Sequence, residues 1–141
     1  MKRVLVTASH YKMADGLKET LEFVSGGVQE TVALSAYVDN QPIEQAVTDL
    51  MNQFEADDEV IVLTDLTSGS VNQQFFQYRN RPHTYIVSGM NLPLAFQIAM
   101  EPQDDYISIE RMREIVEESR MEMKYVNAVS YTHLRAHETT L

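Results

Sequence analysis

The sequence contains no cysteine and no tryptophan. Without cysteine there is no disulfide scaffold, no thiol nucleophile and no thiolate-ligated metal. Basic residues are scarce: 11 Lys and Arg stand against 21 Asp and Glu, a formal net charge of −10. A surface that acidic repels a phosphate backbone and argues against nucleic acid as a partner. It also lacks the clustered Lys and Arg that anionic membrane surfaces reward. Long apolar runs are missing too. The stretch Val4 to Ala8, behind the opening Met-Lys-Arg, is too short for a signal-peptide core or a membrane span. A cytoplasmic protein without direct membrane insertion is therefore expected. The chain has no Walker-type lysine motif, so nucleotide binding by a P-loop is not expected.

What is present suits one folded domain. Hydrophobic residues make up 44% of 141, enough for a core and too many for a disordered chain. Four short β-branched apolar runs are spaced along the chain: Arg3–Ala8, Glu30–Tyr37, Val60–Leu63 and Tyr85–Val87. Continuous apolar character, without alternation, marks strands buried on both faces of a parallel sheet. Helical spacing lies between them, in Leu17, Leu21 and Val24, in Ile43, Val47, Leu50 and Phe54, and in Val71 to Tyr78. Gly26-Gly27 stops the first helix, Pro42 suits the first turn of the second, and Glu55 to Glu59 reads as a charged connection. Ser108 is placed to cap a last helix carrying Ile109, Met112, Val116 and Met123. Strands alternating with helices predict an α/β, flavodoxin-like three-layer sandwich with a mainly parallel central sheet of about four strands.

In such a sheet ligands bind outside the carboxyl ends of the strands. Ser9 and His10 follow the first strand, Asp65 and Ser68-Gly69-Ser70-Val71-Asn72 the third, and Ser88-Gly89-Met90-Asn91-Leu92-Pro93 the fourth. The topology brings His10, Asp65, Ser70 and Asn91 toward one crevice. An imidazole with its ordinary pKa of ~6.5 is largely neutral at cell pH, with a lone pair on one ring nitrogen. A carboxylate accepting the other ring N–H fixes the tautomer and orients the ring. Each element has a plainer reading as well. Asp65 can cap a turn, Ser68-Gly69-Ser70 can be a tight strand-to-helix connection, and Asn91-Leu92-Pro93 can simply open a helix.

Taken together, three motifs resemble the mannose-type enzyme IIA components of the bacterial phosphoenolpyruvate-dependent sugar phosphotransferase system. The first is a strand ending in histidine before a helix of small residues, Leu5-Val6-Thr7-Ala8-Ser9-His10 then Met13-Ala14-Asp15-Gly16-Leu17. The second is Thr64-Asp65-Leu66-Thr67-Ser68-Gly69-Ser70-Val71-Asn72, and the third Ser88 to Pro93. Tyr11 and Ser68 stand where the family commonly has glycine, and Val71-Asn72 replaces its Ser-Pro-x-Asn continuation. The resemblance runs from Met1 to about Val126.

It implies that His10 is the phosphorylated nucleophile, taking its phosphoryl group from the phosphocarrier HPr and passing it to a IIB component for sugar uptake. Asp65 is the residue that orients His10. The backbone N–H groups at the helix start over Gly69, Ser70, Val71 and Asn72, with the Ser70 hydroxyl, are expected to cradle the phosphate, and Ser9 and Asn91 are candidate loop residues beside it. It also implies a cytoplasmic homodimer that associates with membrane transporter components. No cofactor and no metal are expected. A phosphotransfer subunit of a phosphoenolpyruvate-dependent dihydroxyacetone kinase, and a non-catalytic regulatory module of the same fold, are the alternatives.

Residues 128–141 show no apolar period and follow a helix that already closes the domain at about residue 127. They read as a non-native or disordered tail. His133 and His137, although spaced i,i+4, are accordingly not read as a metal site.

Overall fold

A computed structural model describes residues 1–128. The reading of a tail from 128 onward lies outside them, apart from Ala128 itself, which ends a short 3-10 turn at Val126–Ala128. Among the described residues no helix is long and apolar enough to cross a membrane.

Four strands, β1 (Arg3–His10), β2 (Thr31–Ala36), β3 (Glu59–Thr64) and β4 (Thr84–Ser88), form one all-parallel sheet in the order β2-β1-β3-β4. They alternate with α1 (Met13–Ser25), α2 (Ile43–Met51), α3 (Ser70–Phe76), α4 (Leu92–Ala99) and α5 (Ile109–Arg120). The predicted α/β three-layer sandwich is what the chain forms. The continuous apolar strands have the expected cause, because each face of the sheet is covered. Val4, Val6, Ala8, Val60 and Val62 pack on Val47 and Leu50 of α2 and Val71 and Phe75 of α3. The alternate residues Leu5, Ile61 and Leu63 pack on Leu21 of α1, Leu94 and Ile98 of α4, and Met112 and Ile115 of α5.

Local signals end the helices as read. Gly26 closes α1 in the left-handed conformation at φ 75°. The Ser108 hydroxyl accepts from Arg111 N at the start of α5. The packed faces differ in part. Val24, expected on the inner stripe of α1, is exposed. On α5 the buried positions are Met112, Ile115 and Ser119, while Ile109 and Met123 are exposed. Met123 lies beyond the helix end, where helical spacing no longer predicts a face. Ser119 tolerates burial because its hydroxyl donates to Ile115 O at 2.7 Å.

Glu59, read as part of a charged connection, is instead the first residue of β3 and fully buried. Its carboxylate pairs with the Arg3 guanidinium, itself without side-chain exposure. Arg3 also donates to Glu101 O at 3.2 Å and Asp105 O at 2.9 Å, and Glu59 accepts from Ile107 N at 2.7 Å. One buried ion pair thus ties the amino ends of β1 and β3 to the segment between α4 and α5.

Candidate phosphotransfer site

From β1 the chain moves outward to β2, then returns to place β3 on the other side of β1. The carboxyl ends of β1 and β3 therefore flank the point where the winding reverses, the place where open α/β sheets hold their ligands. Ala8 pairs in register with Thr64, so His10, the last residue of β1, stands beside Asp65, the first residue after β3.

Asp65 Oδ2 accepts twice from that histidine, from the backbone N–H and from Nδ1, each at 2.8 Å. Its other oxygen accepts from Leu66 N at 2.9 Å. Burial alone would raise the Asp65 pKa, but the His10 backbone N–H, the His10 ring and the Leu66 N–H outweigh it. The pKa is held below the usual 3.8. An ionised carboxylate only accepts, so Nδ1 carries a proton and, in the neutral ring, the lone pair is on Nε2. That nitrogen faces the Ser70 hydroxyl at 3.3 Å. The His10 side chain is 38% exposed against 10% for Asp65, so the ring is open to a partner while its anchor is shielded.

The other sequence-named residues divide by task. Gly69 is where the imidazole needs room: a Cβ there would stand 2.9 Å from His10 Cε1. Its own N–H donates to Leu66 O. Val71 is fully buried in the core under α3. Asn72 accepts from Thr64 Oγ1 at 2.7 Å and donates to Thr67 O at 2.9 Å, pinning the loop that carries Asp65 to Gly69. Ser9 is buried, and its hydroxyl accepts from Ala14 N at 2.7 Å while donating to Tyr11 O at 3.1 Å. It shapes the turn into α1 from the inside. Asn91 follows the plainer reading. Its side chain caps α4 by accepting from Leu94 N at 2.8 Å and reaches Ser119 O at 3.4 Å, so it is spent on helix ends.

One member of the site escapes the sequence reading. Tyr37 follows β2, whose Ala36 pairs in register with His10. Its ring stacks on the imidazole with centroids 5.5 Å apart and 28° between planes, and its hydroxyl lies 2.7 Å from Ser70 Oγ. The rule about strand carboxyl ends, applied to β2 as well as to the other three strands, was the signal that would have found it. Tyr11, at φ 55°, occupies the left-handed region where the family's glycine is at ease. His83 stands apart at the opposite end of the sheet, stacked on Tyr106 with centroids 3.8 Å apart. Among the described residues no group of three or more His, Cys, Asp or Glu is placed to hold a metal ion.

Comparison with known proteins agrees with this architecture. Residues 4–128 match the family described as PTS system fructose IIA component, of the mannose-type enzyme IIA class. A Klebsiella pneumoniae protein described as a phosphoenolpyruvate-dependent sugar phosphotransferase system permease is 34% identical with a TM-score of 0.82, over 91% of this chain and 93% of that one. The IIA protein associated with the fucose utilization operon of Streptococcus pneumoniae is 27% identical with a TM-score of 0.74, over 90% and 95%. The mannose/sorbose specific IIA subunit from Enterococcus faecalis shares the fold at 18% identity, with a TM-score of 0.74 over 92% and 98%. With nearly all of the described chain inside the family match, and the same parallel sheet in its solved relatives, this protein belongs to the mannose-type IIA family of the sugar phosphotransferase system.

Proposed function

We propose that this chain is a phosphoryl carrier that receives its group from phospho-HPr on His10 Nε2 and delivers it to a IIB component. The observation that carries the reading is the pairing of His10 Nδ1 with an ionised Asp65, which leaves Nε2 unprotonated, partly exposed and facing a hydroxyl. The Nε2 lone pair forms the new P–N bond as the donor histidine's P–N bond breaks, and the departing nitrogen keeps that electron pair. The Nδ1 proton stays in its hydrogen bond, and Asp65 stabilises the positive charge that develops on the ring. Phosphoryl transfer of this kind is catalysed mainly by positioning and electrostatics.

The phosphate cradle is the start of α3, with its backbone N–H groups and the Ser70 hydroxyl. Ser70 supplies its hydroxyl, and the N–H groups of Ser70, Val71 and Asn72 precede the first helical bond, from Gln73 N to Gly69 O. Gly69 clears space for the ring, Asn72 braces the loop, and Val71 anchors the helix in the core. The exposed Tyr11, Tyr37 and Leu66, on the loops that carry the site, and Met13 at the start of α1 supply apolar surface for a protein partner. The phosphotransfer domain is residues 1–127, acting as a homodimer in the cytoplasm beside membrane transporter components.

The test is incubation with phosphoenolpyruvate, enzyme I and HPr. Acid-labile phosphate is expected on the wild-type protein and none on His10→Ala. Label that survives His10→Ala moves the site elsewhere, and an unlabelled wild-type protein ends the carrier reading.

A further inference from the structure

We propose that Tyr37 is a positioning residue for the transfer, acting on His10 through the Ser70 hydroxyl. The inference rests on the carrier reading above and adds to it a residue that none of the sequence motifs contains. The hydrogen-bond roles follow from counting protons. Ionised Asp65 can only accept, so Nδ1 donates and Nε2 of the neutral ring can only accept. Ser70 has one hydroxyl proton, and with Oγ 3.3 Å from Nε2 that proton points to the ring. The Tyr37 hydroxyl, 2.7 Å from Ser70 Oγ, must then be the donor to Ser70. The chain runs Tyr37 to Ser70 to His10 to Asp65, with every proton assigned, and each bond polarises the next.

Two further observations single out this tyrosine. Its ring lies against the imidazole, bracing the face of a side chain whose Nδ1 edge is already held by Asp65. Its backbone stands at φ 66°, a conformation glycine or asparagine adopts more easily. The contacts of the side chain must offset that cost.

The step itself is the one written above: the Nε2 lone pair forms the P–N bond while the donor's P–N bond breaks with its electrons. Once Nε2 carries phosphorus it can no longer accept from Ser70. The Ser70 hydroxyl keeps its proton and turns to donate a hydrogen bond to a phosphoryl oxygen, while Tyr37 holds Ser70 Oγ in place. Tyr37→Phe keeps the ring and removes only this hold.

The experiment measures the phosphorylation rate at saturating phospho-HPr for wild type, Tyr37→Phe, Ser70→Ala and the double variant, with nitrogen NMR of the His10 ring alongside. The loss of one neutral hydrogen bond predicts about a 3- to 10-fold slower saturated rate for Tyr37→Phe. The double variant should be no slower than Ser70→Ala alone, since the two residues act as one unit. The Nε2 resonance should move in Tyr37→Phe, which a merely structural role would not cause. Additive losses, an unchanged Nε2 signal, or a change confined to the HPr concentration dependence would each overturn the inference. A wild-type protein that takes no label overturns the carrier reading and this inference together. A labelled wild type with a full-rate Tyr37→Phe overturns this inference alone.

Discussion

The α-hydrogen of Gly69 points at the His10 ring, where a methyl group would lie 2.9 Å from Cε1 and 3.2 Å from Leu66 Cβ. The backbone at Gly69 is ordinary, with φ −80°, so the glycine is there for space and not for conformation. Gly69→Ala is expected to displace the imidazole from its line between Asp65 and Ser70. Phosphorylation by phospho-HPr should slow by on the order of 10-fold or more, since a misplacement of about 1 Å is enough to cost that much. Circular dichroism should show the native fold retained. A full-speed Gly69→Ala protein would show that the ring has room to spare.

Asp65→Asn replaces an ionised double acceptor with a neutral amide. Its oxygen can still accept the His10 backbone N–H, but it no longer balances charge developing on the ring. The transfer rate should fall by on the order of 100-fold or more, as in hydrolase triads whose orienting aspartate is amidated. A rate within about twofold of wild type, measured by label transfer, would remove the orienting role.

The same carboxylate makes stability depend on pH in a stated direction. Its folded pKa lies below the unfolded value of 3.8, because His10 and Leu66 donate to the charged form. The stability this contributes is fully present above 3.8 and is lost as pH falls through the lower, folded value. The urea midpoint gap between wild type and Asp65→Asn should therefore narrow as pH falls below 3.8. A gap that widens as pH falls below 3.8 would contradict the sign.

Far from the site, Arg3→Met leaves the Glu59 carboxylate buried beside Ile107 N with no cation. Breaking such a pair on one side costs about 3–5 kcal/mol, whereas replacing both partners with apolar residues of similar size is often neutral. Urea unfolding should show Arg3→Met strongly destabilised and the pair Arg3→Met with Glu59→Leu partly recovered. Equal losses for the single and double variants would mean that Arg3 acts through its bonds to Glu101 O and Asp105 O.

Much of this molecule is legible along the chain because its determinants are local. A strand buried on both faces must be continuously apolar, so β1 and β3 announce themselves in Val4-Leu5-Val6 and Val60-Ile61-Val62. Helix ends depend on neighbours a few residues away, as at Gly26 and Ser108. Alternation of strand and helix implies a parallel sheet, and the carboxyl-end rule then places His10, Asp65 and Ser70 together.

The residues that the sequence leaves open are those whose meaning depends on which partner takes their polar group or ring, near or far along the chain. Glu59 looks like a solvated charge until Arg3 lies against it across 56 positions. Asn91 and Ser9 carry polar groups fit for a site, yet their hydrogen bonds are taken by the helix starts beside them. Tyr37 reads as the end of a strand, and only the order β2-β1-β3-β4 sets it over the imidazole.

The sequence by itself therefore determined the elements, the sheet type and the histidine–aspartate pair, since periodicity and strand ends follow from local backbone geometry. Only the tertiary structure decided which side chains surround that pair, which polar groups are already satisfied and which charges are buried. Those are properties of strand order and register, which join residues that the chain keeps far apart.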